Sequence, residues 1–476
     1  MNPHPLYLNN KWINTDSAID VHNPANNELI GRVCTLDRSG IANAVSDAHN
    51  AFAEWRGLTG LERGRYLYAI ADQLELRKDE IARTITLENG KPLAQSQGEV
   101  GMAADHLRWF AEEARRAYGR IIPHQLPGKR HLVIKSPMGV VGAICPWNFP
   151  LVLACRKAAP ALAAGCTFLH KPASYTPLSA VALAECVEAA GVPPGVYQLV
   201  LGSASDIGAE FLGNPLCRKV TFTGSTEVGK KLIAGAAATV KPLSLELGGN
   251  APALVFDDVD LDEAVDGVLI TKFRNIGQSC IASNRIYVQK NIYEPFLSKF
   301  VEKTSAMKVG NGLDDGIEIG PLIDEAAVET ALHHIEDAVS KGARLLCGGK
   351  QIQGLSPNFI EPGVLADVPE HAICMHEETF APVAMFSEFS TEEEGIEKAN
   401  NTCYGLAAYL FTRDLNRTFR VSERLEAGSI GVNDGAPSAS QSPFGGIKES
   451  GWGRELGIEG MEAFLETKHI SLGGVS

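Results

Sequence analysis

A cysteine ends a polar, glycine-containing turn beyond the middle of the chain, in the stretch FRNIGQSC at residues 273–280. Cysteines are most often buried and unreactive. A thiol in a polar turn beside positive charge can instead act as a nucleophile, because the charge stabilises the thiolate. Arg274 lies six residues before Cys280 and Arg285 five residues after it, and we expect them to lower the pKa of the Cys280 thiol. Taken alone, the stretch fits both a reactive thiol and an inert core cysteine.

Three other polar residues stand in stretches that could carry chemistry. Asn148, between two aromatic residues in PWNFP, could donate to a developing oxyanion or simply close a turn. Lys171 follows a strand-like run and could contact ribose or phosphate, or stay solvated. Glu246 lies in the apolar run LELGG, where burial would raise its pKa towards a value useful for a general base. A structural, ion-paired glutamate is the alternative there.

An alternation of strand-like and helix-like runs must position these residues. It extends from 139 to 247 and resumes from 252 to 433. This predicts an α/β protein with parallel sheets covered by helices on both faces. Ligands of such sheets bind beyond the carboxyl ends of the strands, where the polar residues fall. The motif GxGxxG does not occur, and GSTEVG at 224–229 has the wrong spacing for it, so the pattern predicts only a nucleotide-sized ligand.

Local signals predict the ends of two helices. Apolar residues at helical spacing predict one long helix over 62–87, stopped at Gly90. Thr176 is a suitable N-cap for a helix over 177–190, with Pro177 at its first position.

Length, charge and cysteine usage exclude several classes. The 476 residues should form two or three domains. A net charge of −14 argues against nucleic acid or an anionic membrane as partner, because phosphate groups bind basic surfaces. The ten cysteines form no CxxC pair and no histidine cluster accompanies them, so we expect no metal site. Scattered thiols, no recognisable signal peptide and no apolar run of about 20 residues predict a cytoplasmic protein.

Seven motifs occur in an order that resembles the aldehyde dehydrogenase superfamily, over essentially the whole chain. They are PWNFP at 146–150, the Lys171 strand, FTGS at 222–225, LELGG at 245–249, GQSC at 277–280, EETF at 377–380 and PFGG at 443–446. The resemblance implies an aldehyde-dehydrogenase-like α/β fold, with two Rossmann-like parallel-sheet domains and a small β oligomerisation flap. The implied parts are a cofactor-binding domain (1–118 and 137–248), a catalytic domain (249–445) and an oligomerisation or bridging segment (119–136 and 446–476).

The resemblance also implies catalytic roles for three residues. Cys280 matches the nucleophile that attacks the aldehyde carbonyl. Asn148 and the backbone N–H of Cys280 match the oxyanion hole. Glu246 matches the general base that activates water to hydrolyse the thioester. The implied reaction passes through a thiohemiacetal, with hydride transfer to NAD or NADP.

The cofactor contacts follow from the same resemblance. Lys171 matches a contact to the adenosine ribose, and Gly224 and Ser225 match the pyrophosphate region. Glu378 matches the contact to the nicotinamide ribose, and Phe380 a wall of the nicotinamide site. The other residues assigned to cofactor binding are Ile144, Pro146, Trp147, Asn148, Ala173, Ser174 and Leu247.

Within the superfamily the chain is most similar to succinate-semialdehyde dehydrogenases. Arg156 and Arg274 match the two arginines that hold the distal carboxylate of the substrate there, and Ser440 matches a third contact. Guanidinium forks suit planar carboxylates, so the pair would select an acid-tailed aldehyde. Glutarate semialdehyde or a broad range of aliphatic aldehydes are the alternative substrates. An interior ion pair is the alternative for each arginine, and a catalytically silent protein is the alternative function.

Three positions depart from the family pattern. Ser174 stands where NAD-preferring relatives often carry Glu, whose carboxylate would repel a 2′-phosphate, so NADP is slightly favoured over NAD. Ala282 replaces the second cysteine of many succinate-semialdehyde enzymes, so no redox disulfide is expected. Ala381 replaces the usual Gly after Phe380, which implies a slightly altered nicotinamide pocket.

Two segments indicate that the chain assembles. Residues 131–136 and 464–473 read as strands without helical partners, and a partner subunit would cover their exposed edges. The resemblance implies exchange of strands near 119–136 and 464–473 between subunits, in a homodimer or homotetramer.

Overall fold

The computed structural model describes residues 2–474 of the chain. Met1 and the last two residues of the predicted segment 446–476 lie outside that range. The helices are α1 (Arg38–Gly57), α2 (Gly60–Leu76), α3 (Lys78–Asn89), α4 (Leu93–Glu113), α5 (Val152–Ala164), α6 (Leu178–Ala189), α7 (Ala204–Gly213), α8 (Thr226–Ala236), α9 (Leu261–Phe273), α10 (Tyr293–Ser305), α11 (Glu325–Ser340), α12 (Glu392–Asn400), α13 (Leu415–Ser422) and α14 (Gly457–Glu462). In residues 2–474 no helix is long and apolar enough to cross a membrane.

The strands form three larger sheets and two short hairpins. They are β1 (Leu6–Leu8), β2 (Lys11–Ile13), β3 (Ala18–His22), β4 (Leu29–Cys34), β5 (Arg120–Ile122), β6 (Lys129–Pro137), β7 (Val140–Ile144), β8 (Thr167–Lys171), β9 (Tyr197–Leu199), β10 (Cys217–Thr223), β11 (Leu243–Glu246), β12 (Ala251–Val255), β13 (Ser283–Gln289), β14 (Arg344–Cys347), β15 (Gly363–Ala366), β16 (Val383–Phe389), β17 (Ala407–Phe411), β18 (Ser429–Val432), β19 (Gly451–Trp452) and β20 (Leu465–Gly473).

The first sheet has six strands in the order β19-β11-β10-β7-β8-β9, all parallel except β19. Its register aligns the last residues of neighbouring strands. Ile144 lies beside Lys171 and beside Phe222, and Thr223 lies beside Glu246. The carboxyl ends of four strands therefore meet at one edge, which confirms the parallel sheet predicted from the alternation.

The second sheet has seven strands in the order β14-β15-β16-β13-β12-β17-β18, all parallel except β14. Helix α9 runs from β12 towards the cysteine turn. It begins after Asp260, whose carboxylate accepts the backbone N–H groups of Asp262 and Glu263 at 3.0 and 3.2 Å. It ends at Phe273, where the cysteine turn begins, so the second sheet and α9 position Cys280. Each sheet contributes to its own large apolar core.

The third sheet, β20-β6-β5, is antiparallel and stands apart from both α/β layers. Strands β20 and β6 pair from Leu465–Pro137 to Gly473–Lys129. This confirms the two strands predicted without helical partners. Elsewhere in the predicted segment 446–476, β19 pairs with β11 of the first sheet and α14 packs against α5.

The single helix predicted over 62–87 is wrong, because the structure has two helices, α2 and α3, that meet at Arg77. Arg77 has a φ of −103° and a ψ of 16°, which ends the first helix. The buried residues Leu74 and Ile81 keep the same apolar phase on both sides of this break. Apolar spacing therefore could not reveal it. The predicted stop at Gly90 is confirmed by its left-handed conformation.

The N-cap predicted at Thr176 is also wrong. Helix α6 begins at Leu178, and its first N–H groups are bound by the carboxylate of Glu88, at 2.7 Å from Leu178 and 3.0 Å from Ser179. The Thr176 hydroxyl makes no hydrogen bond to any residue of the described chain. A side chain distant in sequence has replaced the local cap. Burial raises the pKa of the Glu88 carboxyl to about 8.

The raised pKa makes the contribution of Glu88 to stability depend on pH. An unfolded glutamate loses its proton near pH 4.3, whereas folded Glu88 keeps it until about pH 8, so the native chain loses stability between these values. Glu88→Gln has no carboxyl to titrate. The difference between the Tm of Glu88→Gln and the Tm of the native chain should therefore change in favour of the variant by about 2 °C or more from pH 5 to pH 8. Scanning fluorimetry measures both Tm values. A difference that does not change with pH would contradict this account, and Glu329→Gln, at an exposed position, controls for losing one carboxylate.

Candidate active site

A cavity of about 210 Å³ lies at the carboxyl edge of the first sheet. It is lined by Pro146, Trp147, Asn148, Thr223, Gly224, Ser225, Leu247, Gly248, Cys280, Glu378 and Phe380. Residues of both sheets contribute, and most of the residues assigned to the cofactor from the sequence lie here beside the cysteine. We call this space the first cavity.

The turn before the cysteine has an unusual backbone. Asn275, Ile276 and Gly277 all have positive φ angles, of 51°, 62° and 74°. This conformation is tolerated by Asn but is uncommon for a β-branched residue such as Ile. A Cβ at position 277 would lie 2.3 Å from the carbonyl oxygen of Ala381, so only Gly fits. A hydrogen bond of 2.8 Å from the Asn275 N–H to Gln95 of α4 helps to hold the turn.

The pKa of the Cys280 thiol is raised overall, so the expected net lowering by nearby arginines is wrong. Burial and, after it, the carboxyl group of Glu378 raise this pKa to about 12. Arg156 opposes the rise, and Arg274 also interacts electrostatically with the thiol. Arg285 donates instead to three backbone carbonyl groups. Desolvation of the thiolate therefore outweighs the positive charge around it.

Asn148 is fixed on both its backbone and its side chain. Its Nδ2 donates to the carbonyl oxygen of Gln278 at 3.1 Å. Its own carbonyl oxygen accepts from Lys91 Nζ at 2.6 Å and from Asn275 Nδ2 at 2.9 Å. The backbone N–H of Cys280 donates to no other residue within the described range. An amide and a backbone N–H are thus available on one wall of the first cavity.

Glu246 is buried at the end of β11, and its Oε2 has no hydrogen-bond partner among residues 2–474. Burial raises the pKa of this carboxyl well above its ordinary value, and the Glu455 carboxylate raises it further. Lys157, which forms an ion pair with Glu455, opposes the shift. Glu246 is close enough to Cys280 to raise the pKa of the thiol. The raised pKa makes the Glu246 carboxylate a stronger base than an exposed glutamate.

Four residues assigned to the cofactor lie outside the lining of the first cavity. Ile144 and Lys171 are paired at the ends of β7 and β8. Ala173 and Ser174 follow β8, and Ser174 is exposed in a turn. Lys171 is largely buried, and its ammonium has no hydrogen bond or ion pair with any residue in the described part of the chain. These four residues extend the same sheet edge beyond the first cavity.

Glu378 and two aromatic rings form the opposite part of the first cavity. The Glu378 carboxyl accepts the Gly249 N–H at 3.2 Å. Burial raises its pKa to about 8, opposed by that hydrogen bond and by Lys272. The rings of Trp147 and Phe380 meet edge to face, with centroids 5.6 Å apart. The two aromatic rings and the Glu378 carboxyl that line this cavity suit a planar ligand.

A smaller cavity of about 40 Å³ also reaches Cys280, and we call it the second cavity. It is lined by Met102, Phe149, Val152, Leu153, Arg156, Arg274, Ser279, Cys280, Ile281, Ser438 and Phe444. Among residues 2–474, Cys280 is the one cysteine that lines either cavity. Both predicted carboxylate-binding arginines lie here, in largely apolar surroundings.

The two arginines have few protein partners. Arg274 lies 3.6 Å from the sulfur of Met102 and 5.5 Å from the ring centroid of Phe149, and within the described chain no carboxylate is within ion-pair distance of it. Arg156 donates to Ser438 at 3.3 Å, and its Nε lies 3.9 Å from Glu455. The interior ion pair considered for each arginine is thus not found for Arg274 and is a long contact for Arg156.

Ser440 does not line the second cavity, although the family resemblance implies that it contacts the substrate. It is buried, and its hydroxyl contacts Asp105 and lies 2.8 Å from His106 Nδ1. Ser438 lies in the cavity instead and binds Arg156. The loop has no regular periodicity, so its sequence does not show which serine faces inward.

Sequence reasoning also missed Met102 and Lys91. Met102 belongs to α4, and nothing in its spacing in the sequence indicates a site. Lys91 follows Gly90, which was read only as a helix stop. Phe149 and Phe444 lay inside the PWNFP and PFGG motifs but were given no role.

The raised pKa of Cys280 predicts slow alkylation at neutral pH. Below the pKa the thiolate fraction rises about tenfold per pH unit, so the rate with iodoacetamide should follow that slope between pH 7 and 10 in the cofactor-free protein. Peptide mass spectrometry follows Cys280, with Cys280→Ser as the control for peptide assignment. A rate that levels off near pH 8.5, as for an ordinary thiol, would show that burial does not govern this group.

Comparison with known proteins identifies the family of the chain. The model of the aldehyde dehydrogenase family matches residues 12–470. The chain is 49% identical over 471 residues to a glutarate-semialdehyde dehydrogenase of Pseudomonas aeruginosa, covering 98% of this chain and 97% of that one. It is 50% identical over 468 residues to a succinate-semialdehyde dehydrogenase [NADP(+)] of Escherichia coli, with the same coverage. A crystal structure of an NADP-dependent enzyme of Escherichia coli superposes with a TM-score of 0.97 at 49% identity, covering 99% of this chain and 98% of that one. The chain belongs to the aldehyde dehydrogenase family.

Proposed function

We propose that the protein oxidises a short aldehyde that carries a distal carboxylate, with succinate semialdehyde as the substrate and NADP or NAD as the oxidant. One observation carries this proposal: Arg156 and Arg274 line the same small cavity as Cys280, with incomplete partners. A guanidinium group is costly to bury without an anion, so a ligand carboxylate would complete the cavity.

Overall identity does not fix the length of the substrate. The two relatives named above act, by their names, on a glutarate and a succinate semialdehyde, and their identities to this chain differ by one per cent. Succinate semialdehyde is the first candidate because Arg156 and Arg274 match the arginines of succinate-semialdehyde dehydrogenases and lie together in the second cavity. Glutarate semialdehyde is the second candidate, and a broad range of aliphatic aldehydes is the third.

The first cavity and its rim fit a nicotinamide dinucleotide. Lys171 offers an ammonium without a partner among the described residues, and Ser225 places the N-terminus of α8, a favourable site for phosphate, at the cavity. Trp147 and Phe380 would hold the nicotinamide ring, and Glu378 its ribose. When bound, the nicotinamide accepts a hydride from the aldehyde carbon. The exposed Ser174 adds no negative charge at the edge of β8, which favours NADP slightly over NAD.

The residues of the chain account for the other steps. The Cys280 thiolate bonds to the aldehyde carbon, and the resulting oxyanion receives hydrogen bonds from Asn148 Nδ2 and the Cys280 N–H. After the hydride leaves, the carbon is a thioester. Glu246 takes a proton from water, whose oxygen attacks that carbon and releases the carboxylate and the thiol. Aldehyde, water and oxidised cofactor thus give carboxylate, reduced cofactor and two protons.

The silent-protein alternative finds little support. A protein that only binds ligands has no need of a half-buried thiol, an amide and an unpaired carboxyl near one another. Cys280 and Asn148 line the first cavity, and Glu246, which lines neither cavity, is close enough to raise the pKa of the thiol.

The remaining proposals concern organisation. We infer a cofactor-binding domain of residues 1–118 and 137–248, a catalytic domain of residues 249–445, and a bridging segment of 119–136 and 446–476. A homodimer or homotetramer is supported by exposed apolar side chains on the third sheet, at Ile121, Ile134 and Leu472. The ten free cysteines support a reducing cytoplasm.

Substrate selectivity tests the proposed function directly. The kcat/KM for succinate semialdehyde should exceed that for hexanal by at least about 30-fold, or roughly 2 kcal/mol. Arg274→Met should remove most of this preference, because it deletes one guanidinium and leaves the thiol in place. Arg274→Lys should show an intermediate value, since it keeps the charge but not the fork. Steady-state reduction of the cofactor gives all values, and equal losses on both aldehydes would refute the carboxylate-binding role.

Cofactor selectivity tests the interpretation of Ser174. Ser174→Glu should lower kcat/KM for NADP by about tenfold or more through repulsion of the 2′-phosphate, which is about 1.4 kcal/mol, while NAD is affected little. Ser174→Ala is the matched control and should keep the native ratio. Equal effects of Ser174→Glu on both cofactors would place the adenosine ribose elsewhere.

A further inference from the structure

A fully buried ion pair lies directly behind the active site, and the steps described above do not use it. Lys91 Nζ and Glu99 Oε2 are 2.6 Å apart, and neither side chain is exposed at all. Lys91 comes from the turn after α3, and Glu99 from the middle of α4. A buried pair of this kind is weak evidence for stability, because apolar residues of similar size often serve equally well. The contacts of the pair therefore decide its role.

Lys91 binds the residue of the oxyanion hole. Its ammonium donates to the carbonyl oxygen of Asn148 at 2.6 Å and lies 4.1 Å from the centroid of the Phe149 ring. Asn148 Nδ2 in turn donates to Gln278, two residues before the nucleophile. The ammonium thus fixes the peptide plane from which the oxyanion-binding amide projects.

Glu99 binds the start of the helix that carries an arginine of the second cavity. Its second oxygen, Oε1, accepts the N–H groups of Leu151 and Val152 at 2.9 and 3.2 Å. Leu151 provides no side-chain cap for α5, so Glu99 supplies it. Arg156 follows one helical turn later.

Both members of the pair therefore act on one short segment, residues 148–152. That segment joins the donor at the aldehyde end of the substrate site to the arginine at the carboxylate end. We propose that Lys91 and Glu99 are positioning residues that set the distance between these two ends, an inference that rests on the proposed function. Lys91 orients Asn148 for every aldehyde, and Glu99 orients Arg156 for aldehydes with an acid tail.

Two double variants separate these roles without leaving an unpaired buried charge. Lys91→Met with Glu99→Gln removes the charged donor to the Asn148 carbonyl oxygen, leaving only Asn275 Nδ2 on it, but keeps an amide oxygen to cap α5. It should lower kcat/KM by about 10–100-fold, equally for succinate semialdehyde and butanal, since misplacement of a catalytic group costs this much. Lys91→Met with Glu99→Leu also removes the cap. Its kcat/KM for succinate semialdehyde should be about tenfold lower than that of the first double variant, whereas its kcat/KM for butanal should be the same.

Two single variants complete the set. Glu99→Gln keeps an amide oxygen at the start of α5 but leaves the buried Lys91 ammonium without its carboxylate. Its loss of kcat/KM should therefore be equal on succinate semialdehyde and butanal, as expected for a misplaced Asn148. Glu88→Gln is the control, because it changes the carboxylate that caps α6, a helix without an assigned substrate residue, and should leave kcat/KM unchanged on both aldehydes. If a double variant does not fold, Glu99→Gln still tests the proposal, because a loss confined to succinate semialdehyde would refute the orientation of Asn148 by Lys91.

The measurements also distinguish positioning from general damage. The Kd for NADP and the rate of Cys280 alkylation should stay native in both double variants. Native kcat/KM on both aldehydes, or losses matched by weaker NADP binding and altered alkylation, would overturn the proposal. If the native enzyme itself does not prefer succinate semialdehyde to butanal, the proposed substrate is wrong. The effect of Lys91 on butanal still tests the orientation of Asn148 in that case.

Discussion

The active site depends on hydrogen bonds to one backbone carbonyl oxygen, that of Gln278. It accepts from Asn148 Nδ2 of the first sheet and from Asn275 Nδ2 of the left-handed turn, at 3.1 and 3.0 Å. The Gln278 side chain accepts the N–H of Ile323 at 2.9 Å, which ties the same residue to a third segment. Residues from two separate cores are thus joined just before Cys280. Together with the hydrogen bonds from Asn275 to Gln95 and to the Asn148 carbonyl oxygen, this junction holds the thiol and the oxyanion-binding amide in one fixed arrangement.

Burial controls the electrostatics around that junction. It is the largest cause of the raised pKa values of Cys280, Glu246 and Glu378. Arg156 lowers the pKa of both the thiol and Glu246, so one arginine influences the nucleophile and the base as well as the substrate cavity. In a medium of low polarity such charges act over longer distances than they do in water. The site therefore combines acids whose pKa values are raised by burial with nearby, incompletely paired cations.

The sequence allowed the parallel sheets, the cysteine turn and the order of the motifs to be predicted, because these depend on local periodicity and short spacings. The break between α2 and α3 at Arg77 could not be predicted, because the apolar residues keep the same helical spacing on both sides of it. The cap of α6 comes from Glu88, and the partner of Lys91 from another helix, so both depend on the tertiary fold. Ser438 and Ser440 lie in an irregular loop, where spacing does not predict which side chain turns inward. The pKa of Cys280 was misjudged because sequence neighbours indicate charge but not desolvation.

Cys280 lines two cavities of different chemical character, and this has a consequence for inhibition. The dinucleotide would occupy the larger, aromatic-walled space, whereas the arginines face the smaller one. A covalent electrophile with an anionic tail can therefore approach the sulfur from the arginine side while the dinucleotide stays in place. Such a compound would be selected by its charge before it reacts, and enzymes of the same fold without the two guanidinium groups would offer it no comparable orientation.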